Sequence, residues 1–267
     1  MRIPTPPLTF WQGLRYSHDP RLVAYHMRQV RAAEVMISAL AGVAREAVRA
    51  ALREIAADTA FLREFLWQHK TAAGREPQGH NFMFLAWQGG SPYYHQLVQY
   101  ALVRVMQPDV VVETGGTPGN SSAFILRAME RSGRGTLHTV DLPPEGALDP
   151  GKGHGGWIHE GMPAGKGSGW AVPEALRGRH RQHLGDAKAL LPQVFESAPA
   201  CDIFIHDSDH SYEHMLWEFT TAWPHVRPGG VIMSDDIDAN AAWEEFTAAR
   251  GLVTYRSGHL GAAGKPR

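Results

Sequence analysis

The chain has one cysteine, Cys201, among 267 residues. A single thiol excludes an intramolecular disulfide and any CxxC zinc site. It opens an apolar run, where a buried structural thiol is expected. No stretch approaches the roughly 18 consecutive apolar residues of a membrane span. The Pro-rich start, "MRIPTPPLTFWQG", has no unbroken apolar run and does not read as a signal peptide. A soluble, cytoplasmic protein is the expectation. Charge of either sign is not in excess: the formal net charge is -1. No global field therefore draws the chain to nucleic acid or an anionic membrane, and neither is expected as a partner. The basic run "RGRHRQH" (Arg177–His183) is expected on a solvated surface. Strict heptads and internal repeats are also missing. The hydrophobic content of 43% is that of an ordinary globular domain.

Residues 1–80 read as a separate helical region. "DPRLVAYHMRQVRAAEVMISALAGVAREAVRAALREIAADTAFLREFLWQHK" is rich in Ala, Arg, Glu and Leu, with apolar residues at helical spacing. Two or three amphipathic helices are expected, with breaks at Gly42 and Asp58–Thr59. "TAAGREPQGH" (Thr71–His80) reads as a linker. The region suits a helical cap or a homo-oligomer contact. Residues 81–267 form the second domain. From about residue 92, helices alternate with short β-rich runs: "DVVVETGG", "GTLHTVDLPP", "GRHRQHLGDA", "CDIFIHD" and "RPGGVIMSDD". This alternation predicts an α/β fold with a doubly wound, Rossmann-like parallel sheet. Between the second and third strands lies a long Gly/Pro-rich insertion, "PPEGALDPGKGHGGWIHEGMPAGKGSGW". Loops of that length are often functional. Trp157, His159 and Trp170 in it are candidates to line an acceptor pocket.

Ligands of open α/β sheets bind beyond the carboxyl ends of the strands. The first strand runs into "ETGGTPGNSS", with Glu113, Gly115, Gly116, Gly119 and Ser121. Glycines there let the backbone turn tightly and approach a ligand. The second strand ends in Asp141, which can accept hydrogen bonds from both ribose hydroxyls. NAD(P) and S-adenosylmethionine sites share this plan. The dinucleotide fingerprint GxGxxG is broken, because Thr114 holds its first glycine position. Glu113 also puts a carboxylate where a pyrophosphate would sit, which favours a cationic sulfonium and amino-acid headgroup.

"VVVETGGTPGNSS", "HTVDLP", "LGDAKALLP", "DIFIHDSDHSYEHMLWEF" and "RPGGVIMSDDI" occur in the order found in class I S-adenosylmethionine-dependent methyltransferases. The segment Pro92–Ile237 resembles that family, and within it the small-molecule O-methyltransferases that include macrolide-sugar, rhamnosyl and cephalosporin-hydroxylase-like relatives. The resemblance implies a seven-stranded methyltransferase sheet with an N-terminal helical extension. Its last two strands must fit into "GLVTYRSGHLGAAGKPR". It also implies that Glu113 and the Gly115–Gly119 turn hold the methionine part, Asp141 the ribose, and that Asp186, in "GDA", lies near the adenine. Asp207 joins this cofactor set.

The chemical half of the site falls at the ends of the fourth and fifth strands. Asp207, Asp235 and Asp236 are expected to converge there. Three hard carboxylates without thiols suit Mg²⁺ or another divalent cation. In the metal-dependent O-methyltransferases that the chain resembles, acids at these two strand ends bind such an ion. A cation on a hydroxyl lowers its pKa, and a base then takes the proton. His210 is the candidate base, with helix capping or a metal contact as its plainer roles. His206 is expected to pack on the other side of the sheet. Asp209 is expected to orient His210 or cap the following helix, where His214 shares a face with His210. Asp238 reads as solvated, and Trp217, Phe219 and Trp223 as packing residues. The reading is therefore metal-assisted O-methylation of a hydroxyl on a small acceptor, a sugar, glycoside or other natural product. Metal-free N-methylation stands beside it. An NAD(P) oxidoreductase, a metal-dependent hydrolase suggested by "HDSDH" and a non-catalytic binding protein are the rivals. The HxHxDH hydrolase motif would need histidine where Asp207 stands.

Overall fold

The computed structural model describes residues 20–72, 92–142 and 166–267. Trp157 and His159 lie outside the described residues, as does the boundary at residue 80. The helices are α1 (Pro20–Ala41), α2 (Arg45–Ala57), α3 (Thr59–Ala72), α4 (Pro92–Met106), α5 (Asn120–Ser132), α6 (Ala187–Ser197), α7 (Tyr212–Ala222) and α8 (Ala242–Ala248). The strands are β1 (Val110–Thr114), β2 (Thr136–Asp141), β3 (His180–Leu184), β4 (Cys201–His206), β5 (Val226–Ser234), β6 (Thr254–Ser257) and β7 (Leu260–Gly264). The breaks read from the sequence fall where expected: α1 ends before Gly42 and α3 begins at Thr59.

The strands form one seven-stranded sheet in the order β3-β2-β1-β4-β5-β7-β6. Strands β1 to β5 pair in parallel, while β7 is antiparallel to both β5 and β6. Strand β4, "CDIFIH", is buried at every position, as expected for a parallel strand covered on both faces. Alternate residues supply two cores. Val111, Ile203, Ile205, Val231 and Met233 face α4 and α5. Val112, Phe204 and Ile232 face α6, α7 and α8. Cys201 is buried in the second core, and burial pushes its thiol up to about 12. No helix among the described residues is long and apolar enough to cross a membrane.

The N-terminal helices share the first core: Met36, Ile37, Val48, Ile55, Phe61 and Phe65 pack with α4, α5 and the sheet. Polar ties fix them there. Glu54 accepts from Arg104 Nε at 2.9 Å and from the Tyr100 hydroxyl. Asp58, between α2 and α3, accepts from Arg127 Nε at 2.8 Å, Arg131 Nη2 at 2.9 Å and Phe61 N at 3.3 Å. Burial alone would raise the Asp58 carboxyl, but the hydrogen bonds from Arg131 and Arg127 outweigh it and hold it below its ordinary value. Asp58→Ala is expected to destabilise the protein by about 2 kcal/mol at pH 7. That is less than for a fully buried pair, because both arginines keep contact with water. A group with a depressed folded pKa contributes stability above its unfolded pKa and loses it as the pH falls. The gap between the native protein and Asp58→Ala in urea unfolding should therefore close as the pH drops below about 4.

Candidate active site

The sheet ladder carries on past the strand ends and lines up the site. Opposite residues in the register are Val140, Thr114, His206 and Ser234, so the next residue of each strand is Asp141, Gly115, Asp207 and Asp235. Gly115 N donates to Val140 O at 2.9 Å, Asp207 N to Thr114 O at 3.0 Å and Asp235 N to His206 O at 2.9 Å. Three acids and a glycine thus stand side by side at the carboxyl edge, across the point where strand order reverses between β1 and β4.

Gly115 has φ +82°. A Cβ there would lie 1.8 Å from the Asp207 carbonyl oxygen. The turn is pressed onto the backbone that leaves β4, and only glycine fits. Gly116 is tight rather than left-handed: a Cβ would meet Thr139 Cβ at 3.3 Å and Ser122 Oγ at 3.4 Å. Gly119 has φ +105°, and a Cβ would meet Gly169 Cα at 3.0 Å. The chain that follows the insertion closes on this turn, with Ala171 N donating to Pro118 O at 3.0 Å. Trp170 packs against the first core there.

Glu113 is fully buried. Its Oε2 accepts from Ser122 Oγ at 2.6 Å, while Oε1 has no hydrogen-bond partner among the described residues. Burial raises its carboxyl, the nearby hydroxyls of Ser121 and Ser122 oppose the rise, and the charge of Asp141 adds to it. Asp141 is also buried. It accepts from the Thr117 hydroxyl and from Leu142 N at 2.9 Å, yet burial still pushes its carboxyl up. Asp207 is raised well above the carboxylate range, first by burial and then by the charges of Asp235, Glu113, Asp236 and Asp141. The edge is thus overloaded with negative charge and suited to a cationic ligand.

Asp235 behaves differently. Burial raises it, but His95 Nδ1, 3.2 Å from Oδ1, and the Asp236 N–H at 2.9 Å bring it below its ordinary value. Asp236 is exposed, at φ +45°. Among the described residues, no group of three or more His, Cys, Asp or Glu is arranged to hold a metal ion. Of the three acids expected to converge, Asp207 and Asp235 stand side by side on this edge, with His95 from α4 on Asp235, and Asp236, next along the chain, is exposed. Asp238 pairs with Arg256 and with His259 Nδ1 at 3.0 Å. Asp186 is exposed at the far end of the row and caps α6, accepting from Lys188 N at 2.8 Å.

His210 is half-buried on the loop after β4. Its carbonyl accepts from Asn240 Nδ2 at 2.9 Å. Burial is the chief cause that lowers its imidazole, so it is neutral at pH 7. Asp209 Oδ1 accepts from Ser211 N at 2.8 Å and shapes the entry to α7. His206 is fully buried on the α7 face, 2.6 Å from Glu218 Oε2 through Nδ1. Sequence reasoning passed over Glu218, Ser122, Thr117 and His95. Glu218 had a signal: it is an acid among Met215, Phe219 and Ala222 on the buried side of α7, and buried acids are seldom without a purpose.

Residues 112–237 match the family model described as "Methyltransferase domain". No curated protein matches the sequence closely. The fold is similar to that of the O-methyltransferase TomG from Streptomyces achromogenes, involved in tomaymycin synthesis and solved with S-adenosylmethionine: 17% identity, 76% of this chain, 90% of that one and a TM-score of 0.50. It is also similar to cofactor-bound Rv0187 from MTB, at 15% identity, 77% of this chain, 89% of that one and a TM-score of 0.50. The likeness to a methyltransferase domain thus spans β4 and β5, most of β1 and the acidic edge between them, and the fold is the one these solved structures share.

Proposed function

We propose that the protein transfers a methyl group from S-adenosylmethionine to a hydroxyl of a small acceptor, a sugar, glycoside or other natural product, with His210 as general base. The observation that carries this reading is Glu113: a fully buried carboxylate with one oxygen unpartnered among the described residues, beside Asp141 and the glycine turn. An orphaned buried acceptor is costly unless a ligand donor meets it. The headgroup of S-adenosylmethionine brings donors and positive charge. Glu113 and the Gly115–Gly119 turn would hold that end, and Asp141 the ribose hydroxyls. When bound, the cofactor supplies a methyl group on a sulfonium.

A hydroxyl is a weak nucleophile until its proton is removed. His210, neutral at pH 7, can remove it. A divalent cation would suit the hard carboxylates of Asp207, Asp235 and Asp236, but they do not form a ligand set among the described residues. Their role in this reading is electrostatic: Asp207 and its neighbours offset the positive charge of the bound cofactor.

Calorimetry with S-adenosylmethionine and with NADH, each with and without Mg²⁺, tests the first half. Binding of S-adenosylmethionine and not NADH is expected, and the reverse would sink the reading. Affinity that appears only with Mg²⁺ would return the acids to a metal role. Once an acceptor is in hand, His210→Ala should lower kcat about 100-fold at pH 7. A base with a lowered pKa stays competent below the ordinary histidine value. The native rate should therefore hold level from pH 8 to about 6.5 and fall only below it. Full activity of His210→Ala at pH 7 would remove the base assignment.

A further inference from the structure

Beneath the His210 loop lies a polar cluster that the reading above does not use. Glu218 is fully buried, and each of its oxygens takes two partners. Oε2 meets Thr114 Oγ1 at 2.5 Å and His206 Nδ1 at 2.6 Å. Oε1 meets Ser208 Oγ at 2.8 Å and His214 Nε2 at 2.8 Å. Burial alone would raise this carboxyl, but His206 and His214 hold it well below the usual range, so it is ionised. An ionised carboxylate only accepts, and all four partners must donate. The hydrogen of His206 is therefore on Nδ1, and the Nε2 of a neutral His206 is bare.

That bare nitrogen is buried and has no partner among the described residues. The same is true of His210 Nε2. The two rings stand edge to face, with centroids 5.2 Å apart and planes at 74°. Two orphaned buried nitrogens on neighbouring rings cost free energy separately and satisfy each other if one donates and the other accepts. With its Nδ1 hydrogen given to Glu218, a neutral His206 accepts at Nε2. With hydrogen on its Nε2, His210 would be the donor of such a pair, and the neighbouring rings put the two side chains in contact.

We propose that Glu218 is a positioning residue: through His206 it fixes the tautomer of His210, so that Nε2 carries the hydrogen and Nδ1 is the bare nitrogen left to take a proton. The order is Glu218, then His206 Nδ1–H, then His206 Nε2, then His210 Nε2–H. No group in this line has to change charge. Ring orientation and lone-pair direction are set before the acceptor arrives, as the partner of a catalytic histidine does elsewhere. His214 fills the remaining place on Glu218 from the outer turn of α7 and keeps the carboxylate charged.

The consequence for catalysis rests on the reading of His210 as the base; the tautomer itself does not. The test is ¹⁵N spectroscopy of the full-length protein labelled at histidine, at neutral pH, with His206→Phe and Glu218→Gln. His206→Phe keeps an aromatic ring against Phe219 and removes the acceptor nitrogen. In the native protein His206 should show a protonated Nδ1 and a bare Nε2, and His210 the opposite pattern. In both variants the His210 signals should move toward the average of a tautomer mixture. A native His210 with its hydrogen on Nδ1 would overturn the proposal. So would His210 signals unchanged in His206→Phe, which decides the matter if Glu218→Gln does not fold. Calorimetry with S-adenosylmethionine on the same native sample separates the two claims. Failure to bind would remove the methyltransferase reading without touching the tautomers.

Discussion

Gly115→Ala is expected to abolish detectable S-adenosylmethionine binding and to destabilise the fold by about 3 kcal/mol or more, from backbone strain and overlap together. The methyl carbon would sit 1.8 Å from the Asp207 carbonyl oxygen, 2.4 Å from its carbon and 2.7 Å from Ser208 N. All three are backbone atoms, and Asp207 is tied by its own N–H to Thr114 O at 3.0 Å. No rotamer change can relieve the contact. Either the turn or the end of β4 must move, and both carry site residues. Gly133→Ala is the matched control. Gly133 has φ +68° where α5 ends, but a Cβ there meets nothing within 4 Å. Only the conformational cost of about 1 kcal/mol remains, and cofactor binding should be unchanged. Thermal unfolding and calorimetry on the two variants measure the difference. A Gly115→Ala protein that binds the cofactor as the native one does would show that the turn is not part of the site.

The carboxyl edge was legible in the sequence because parallel strands deliver the residue after each strand to the same line. Glu113, Gly115, Asp141, Asp207 and Asp235 could be placed from strand ends alone, and the register confirms that the last four are neighbours. The closing strands also fit the short C-terminal stretch, as the β6–β7 pair shows. What could not be read is whatever depends on a helix crossing the edge. His95 reaches Asp235 from α4, a contact that no strand end foretells. Glu218 lies under His206 because α7 packs across β4. The apolar stripe of the N-terminal helices was visible, but its partner was not: the Arg127 and Arg131 that receive Asp58 lie on α5, far along the chain. Local pattern fixes which face is apolar; only tertiary packing chooses what covers it.

Glu113→Gln should separate stability from function in opposite directions. The native carboxyl is fully buried, keeps one oxygen unpartnered among the described residues and has its pKa raised chiefly by burial. A group with a raised folded pKa contributes stability below its unfolded value and loses it as the pH climbs through the folded value. The ligand-free native protein should therefore weaken from about pH 4 upward at this position. The amide, which carries no charge, does not follow that fall. Ser122 Oγ can still donate to the amide oxygen in place of Glu113 Oε2, so the local packing is kept. Glu113→Gln should match the native protein near pH 4 and exceed it in urea unfolding at pH 8. Binding should run the other way. Removing a buried charge that faces a cationic headgroup is expected to weaken S-adenosylmethionine about 100-fold, some 2.7 kcal/mol. In the presence of saturating cofactor the order of stabilities should reverse, because a ligand that binds only the folded state adds its binding free energy to it. A variant that loses stability at pH 8 and keeps native affinity would mean that Glu113 serves the fold and that the cofactor headgroup is held elsewhere.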